Sequence, residues 1–333
     1  MPIIGVSPYH LTTREPPAIA SLQLGDGVVT LLPTPPSGRR GEIVSEETTR
    51  AAVDRAPGYL RFMESWRWAM PLFREGVLGS TLEGEDVADD VERVWMRIRR
   101  EDRLAGLRPL MRPAWFDDDT SYLAALSRDL LRGGPDPSVN IPVAAGLDVF
   151  AARHGACVAR SPTKSMVQRI ESTMWERLFT IAVPALIQGS ADRLLEAREL
   201  FESPLYDLRR ALDDALLPLL GGADRDATID PVAAGELRSA AGAYTDAFED
   251  ERELLLGPGP DDDEVRPVAG LVSVTAVRMS ADASLRASAS AAKSMRVGGG
   301  VRGGGPVVAE KPDEPAGPAP DCVSLIIKPL GKG

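Results

Sequence analysis

Glu85-Asp86-Val87-Ala88-Asp89-Asp90-Val91-Glu92-Arg93-Val94-Trp95-Met96-Arg97-Ile98-Arg99-Arg100 is the stretch on which the fold reading turns. Val87, Val91, Val94, Trp95 and Ile98 recur at steps of three and four, which gathers them on one face of a helix. Its first turns carry Glu85, Asp86, Asp89 and Asp90, and its last carry Arg97, Arg99, Arg100 and Arg103. That order of charge suits the helix macrodipole, so a helix is predicted over 85–105.

The same period extends both ways, from Ser45 to about Gly257. Ser45 reads as an N-cap with Glu46 and Glu47 behind it. A helix is predicted from Thr120, with Tyr122, Leu123, Leu126 and Leu130 inward, stopping at Gly133-Gly134-Pro135. Another covers 142–154 and ends at Gly155, the usual residue beyond a helix C-terminus. Ser161-Pro162 opens the next, with Val167, Ile170, Met174 and Leu178 on one face. Helices follow near 190–202, 204–220 and 231–256, the last announced by Asp230-Pro231.

The flanks read differently. Residues 3–6 and 28–32 are short strand candidates around a helix at 16–24, and 33–41 is a Pro/Gly/Ser-rich connector. Asp261-Asp262-Asp263-Glu264 marks a boundary, after which 270–279 alternates as a strand. Residues 281–320 turn Ala/Ser-rich, then Gly-rich, then Pro-rich, a composition that predicts disorder. Cys322-Val323-Ser324-Leu325-Ile326-Ile327 is a compact apolar cluster near the end.

The expected fold is therefore mainly α: a helical body at 45–257, a short N-terminal α/β-like arm at 1–44, and one or two C-terminal strands. Residues 258–280 would be an acidic loop and strand, 281–320 a disordered linker and 321–333 an apolar motif. If the strands join as a small sheet, the class becomes α+β with helices in the majority.

Composition narrows the function classes. A net charge of -11 argues against a general nucleic-acid binder, which needs a clustered basic surface. Of the 38 basic residues 33 are Arg, and Asn140 is the sole Asn, a usage expected of a GC-rich bacterial genome. Cys157 and Cys322 are too few for a disulfide framework or a structural zinc site, which fits a reducing cytoplasm. No basic n-region with an apolar run follows Met1, so no signal peptide is expected. The longest apolar run, 178–187, contains Pro184 and falls short of the roughly 20 residues a membrane helix needs.

Several groups of residues carry chemistry. Tyr9, His10, Arg14 and Glu15 follow the first strand candidate and together offer a general base, an orienting hydroxyl and an anion clamp. A loop closed by its own hydrogen bonds explains the same residues, with Thr12 or Thr13 capping the helix at Pro16. His154 and Cys157 straddle Gly155, and a Cys-His pair can yield a thiolate. Arg97, Arg99, Arg100, Arg103, Arg108 and Arg112 lie near Trp95 and Trp115, although Glu92, Glu101 and Asp102 interrupt them. The triple glycines at 298–300 and 303–305 lack the Gly-Lys-Ser/Thr ending of a phosphate loop.

Phe116-Asp117-Asp118-Asp119 resembles the aspartate-rich motif of class I terpene synthases, which implies Mg²⁺ and an isoprenoid diphosphate. Ser121 and Tyr122 stand where that motif has a further acid, and Asn140-Ile141-Pro142 fails its second metal motif. In layout, the flexible segment with Leu325, Ile326, Leu330 and Gly331 looks like the C-terminal cargo-loading peptides of encapsulin systems, which implies a docking role. Folding back beside 270–279 as an edge strand is the other reading.

The functional expectation is a non-catalytic cytoplasmic interaction or scaffold protein, holding a protein partner through Leu325, Ile326, Ile327 and Leu330. The alternative is an enzyme with its site at Tyr9, His10, Arg14 and Glu15 against the helical body. Mg²⁺-dependent chemistry at Asp117–Asp119 is the third reading. No cofactor, resident metal, membrane or nucleic acid is assigned.

Overall fold

Ile4–Val6 (β1) has no polar face: all three residues are buried, as in a strand covered on both sides. In this computed structural model, which describes residues 3–31, 65–80, 86–111, 121–132, 135–162, 165–220, 228–257, 265–298 and 320–331, β1 begins a sheet. Helices Pro8–Thr12 (α1) and Pro16–Leu24 (α2) lead to Val28–Thr30 (β2), parallel to β1. After Met70–Arg74 (α3), Leu78–Ser80 (β3) adds outside β2.

The chain then crosses back. Asp86–Arg100 (α4), Ser121–Arg132 (α5) and Pro137–His154 (α6) precede Cys157–Arg160 (β4), parallel to β1 on its other edge. Met166–Ser172 (α7) and Glu176–Gln188 (β5) follow, then Ala191–Leu200 (α8), Glu202–Leu216 (α9) and Pro231–Leu256 (α10). Val268–Ser280 (β6), Ala283–Gly298 (α11) and Asp321–Pro329 (β7) complete the described elements.

The seven strands form one sheet in the order β3-β2-β1-β4-β7-β6-β5. β7 runs parallel to β4, while β6 is antiparallel to both β7 and β5. A mainly α class is thus overturned: the fold is α/β, with strands and helices alternating around a mixed sheet. The α+β alternative, a small sheet joining the N-terminal arm with the C-terminal strands, is likewise replaced by this single seven-stranded sheet.

The physical reasons are local. β1 to β4 have three or four residues each, too few for a period to be read, and β1 and most of β4 are buried on both faces. The apolar run at 178–187 is strand β5, and Leu178 lies there instead of on the helix predicted after Pro162. Pro184 is tolerated because β5 is the outermost strand, where a missing N–H has least to lose. Within 281–320, residues 283–298 form α11; alanine is the best helix former, and Ala283, Leu285, Ala287 and Ala289 are buried.

β7 lies between β4 and β6, paired along both edges. Leu325 and Ile327 are each 2% exposed and Ile326 is partly buried within a strand paired on both edges, so Leu325 and Ile327 offer no docking surface. Leu330, beyond the strand, is 38% exposed.

Side chains alternate across the sheet. Leu325 and Ile327 border an internal space shared with Ser21 and Leu24 of α2 and Leu208 and Leu212 of α9. Ser324 points the other way, toward α6 and α11. On that second side the apolar face of α4 is buried as its spacing predicts, with Val91, Val94 and Ile98 at 0% exposure. α4 packs so closely on α6 that a Cβ at Gly146 would lie 2.6 Å from Val91 Cγ2. Gln23 of α2 ties the first side together: its amide donates to Tyr244 Oη (2.8 Å) and its carbonyl accepts from Leu186 N (2.7 Å). No helix among the described residues is long and apolar enough to cross a membrane.

Candidate functional site

β1 and β4 are neighbours in the sheet, yet the chain leaves β1 toward β2 and β3 and later leaves β4 toward the far edge. Ligands of open α/β sheets bind in the crevice outside the carboxyl ends of such a strand pair. Here that crevice is a cavity of about 640 Å³, bounded by Tyr9 and His10 just after β1, by Arg160 and Ser161 at the end of β4, and by Glu171 and Ser284.

His10 owes its position to α1. Ser7 caps this helix by accepting from Tyr9 N (3.3 Å), and Pro8 starts it with its fixed φ. Glu15, five residues on, brings its carboxylate to His10: Nδ1 and Oε2 are 3.1 Å apart, off the line of a straight hydrogen bond. The same carboxylate accepts from Ser161 Oγ (2.7 Å) and Thr13 Oγ1 (3.2 Å). His10 foremost, then the Ser161 and Thr13 hydroxyls, hold the Glu15 carboxyl down to about 2 against the opposing effect of burial. Glu15 therefore stays ionised beside Nδ1, so that a proton on Nδ1 would face the carboxylate and Nε2 would be the basic nitrogen.

The other two sequence-predicted members divide. Tyr9 borders the cavity, but its hydroxyl donates to Asp129 Oδ2 of α5 at 2.5 Å, and Asp129 also accepts from Asp136 N. Tyr9 is an anchored wall. Arg14 has a left-handed φ of 50° and its guanidinium sits 4.8 Å over the Trp68 ring, away from the cavity. Arg14 is not among the residues that line the cavity. Thr12 and Thr13 do not cap α2, whose N-cap residue is Glu15.

Sequence reasoning missed the floor of the cavity. Arg160 reaches Asp148 of α6, contacts Glu171 of α7 at 3.1 Å and donates to Ser324 Oγ of β7 at 3.0 Å. Ser284 of α11 lies 2.6 Å from Asp148 Oδ2 and 2.8 Å from Glu171 Oε1. Burial pushes the Asp148 carboxyl up to about 6, with Arg160 opposing and Glu171 adding to the rise. Burial works against the charge on Arg160 as well, but Asp148 and Glu171 more than offset it and hold the guanidinium above the usual arginine range. The one available signal was Arg160-Ser161 directly after the apolar run 156–159, the end of an unrecognised strand.

Neither family models, nor curated proteins, nor solved structures give a match to this chain. The reading of the site rests on its own chemistry.

That chemistry excludes a phosphate clamp among the described residues. The turn from β1 to α1 is Ser7-Pro8-Tyr9-His10, without the glycines that let a backbone approach a diphosphate. Arg160 is the only Lys or Arg among the described lining residues, and two carboxylates already face it. The lining is otherwise mostly apolar, including Leu147, Val158 and Trp175.

Asp117–Asp119 lie outside the described residues. Cys157 is fully buried, which pushes its thiol up to about 12, so it is no activated nucleophile; the His154 ring lies tilted against Phe150, with centroids 4.6 Å apart. Arg97 and Arg103 both meet Glu101 and Asp282, and Arg108 meets Asp102, so these three arginines are paired with carboxylates; Arg112 lies outside the described residues. Among the described residues, no three His, Cys, Asp or Glu side chains gather to hold a metal ion.

Proposed function

We propose that the protein is an enzyme acting on a small, largely apolar molecule, neutral or cationic, bound at the carboxyl ends of β1 and β4, with His10 as general base. The observation that carries this reading is the His10–Glu15–Ser161 chain at the edge of the cavity. A carboxylate behind an imidazole sets its tautomer and supports the proton it acquires, while Ser161 keeps that carboxylate in place. The cavity volume falls in the range of small-molecule sites. Two buried free thiols fit a reducing cytoplasm. A protein partner held by the tail forms no part of the proposal, since β7 is enclosed within the sheet.

The test is a thermal-shift screen of neutral and amine-bearing metabolites against the wild type and Ala144→Trp, which fills the cavity from α6. A true ligand raises the melting temperature of the wild type and leaves Ala144→Trp unmoved. Turnover of that ligand should then fall roughly 100-fold or more in His10→Gln. Equal stabilisation of both proteins removes the site, and undiminished turnover in His10→Gln removes the general base.

A further inference from the structure

Ser284 carries one hydroxyl proton, yet its Oγ lies within hydrogen-bonding distance of two carboxyl groups, Asp148 Oδ2 at 2.6 Å and Glu171 Oε1 at 2.8 Å. It can donate to only one of them. The other contact is attractive only if that carboxyl carries a proton and donates to Ser284. The charge count agrees, because among the described residues Arg160 is the one cation paired with these two acids. Every packed element contributes: Asp148 from α6, Arg160 from β4, Glu171 from α7, Ser284 from α11, and Ser324 with the buried thiol of Cys322 from β7. Asp148 is 0% exposed and does not reach the cavity, whereas Glu171, 3% exposed, forms part of its wall.

We propose that Asp148 and Glu171 hold one proton in common through Ser284, and that Glu171 presents it to the cavity as the acid that complements His10. The catalytic use of this proton rests on the acid–base reading of the cavity; its presence does not. Arg160 and Ser161, consecutive at the end of β4, anchor the two halves: Arg160 the proton donor, Ser161 the carboxylate behind the base. In turnover His10 takes one proton from the bound molecule and Glu171 gives one to it, keeping the O–H electron pair; proton exchange with water, off His10 and back onto Glu171, then restores both residues. The molecule is rearranged with no net change in protons. Glu171 touches the ligand; Asp148 and Ser284 are positioning residues.

The probe is dicyclohexylcarbodiimide, an apolar reagent that reacts with a carboxyl only when it is protonated. The carboxyl O–H adds across one C=N bond, the proton going to nitrogen and the oxygen to the central carbon. An oxygen-to-nitrogen acyl shift then leaves an N-acylurea, so nothing departs and the peptide gains the whole mass of the reagent. At about pH 6, mass spectrometry should find the label on Glu171, reduced at least tenfold in Asp148→Asn, where Glu171 no longer needs the proton, and blocked in Ala144→Trp. An unlabelled Glu171, or labelling indifferent to Asp148→Asn, overturns the proposal. Should Asp148→Asn fail to fold, infrared titration of the wild type in D₂O decides. A carboxylic C=O band with a midpoint near 6 is expected, and its absence above about pH 5 is the contrary result. Labelled Glu171 alongside a failed ligand screen would reject the proposed function and leave the shared proton standing.

Discussion

Replacing Arg198 by Met should cost about 3 kcal/mol of folding stability, and the figure follows from what the guanidinium does. Arg198 of α8 closes the carboxyl end of α2, where helix geometry leaves carbonyls without partners. Its Nη1 donates to Leu22 O (2.8 Å), Gln23 O (3.2 Å) and Gly25 O, and Nη2 donates to Asp26 O (3.0 Å). Arg209 adds bonds to Leu24 O (3.0 Å) and Gln23 O (2.9 Å). Burial, with Arg209 alongside, pulls Arg198 down to about 10, which still leaves it charged at neutral pH. A charge-assisted hydrogen bond contributes roughly 1.5–3 kcal/mol. These bonds share one guanidinium, Asp26 O regains water in the variant, and Gln23 O keeps Arg209, so the sum is far below four independent bonds. Met retains the apolar stem and isolates the polar loss. Equilibrium urea denaturation followed by circular dichroism should show a lower midpoint at unchanged slope. Arg198→Lys should recover little, because one ammonium cannot span the same carbonyls. A loss under about 1 kcal/mol in Arg198→Met would show that water satisfies this helix end equally well.

Gly146→Ala sets two effects against each other: helix propensity gains about 1 kcal/mol, whereas a Cβ 2.6 Å from Val91 Cγ2 and 3.1 Å from Val91 Cα forces apart two packed helices. The clash should win by about 1–2 kcal/mol in the same denaturation assay, and a stabilised variant would contradict the close approach of α4 and α6. Glu15 titrates near 2 in the folded protein instead of 4.5, so its contribution is complete above about pH 4.5 and drains away as the pH falls toward 2. The melting temperature of Glu15→Gln should be flatter over that window than that of the wild type; identical profiles would mean that His10 and Ser161 do not hold this carboxylate. Cys157 and Cys322 are buried, so an aromatic disulfide reagent should react with both only on unfolding, and a prompt native-state reaction at either would refute its placement.

Much of the helical layer could be read from residue spacing. Pro16 and the Asp230-Pro231 pair marked the starts of α2 and α10, and Val91, Val94, Trp95 and Ile98 marked the buried face of α4. The sheet was harder to see. A three-residue strand such as Leu78–Ser80 is shorter than any periodic signal, and the apolar run inside β5 fits a buried helix as well as a strand. Half of the site was legible because His10 and Glu15 are close in the chain. The other half was not: Ser284 and Asp148 meet across 136 positions, and Arg160 and Glu171 come from two further elements. Burial of charged groups becomes visible only when topology brings such elements together.

The place of β7 also governs the order in which the molecule can be built. Every other described strand precedes it in the chain, yet it fills the gap between β4 and β6. Until residues 321–329 are available, the edges of β4 and β6 lack the strand they pair with, and Arg160 lacks Ser324. Nascent chains must wait in that half-assembled condition, when unpaired edges invite association with other copies. Even a brief translational pause upstream of Asp321 would then lower the yield of native protein.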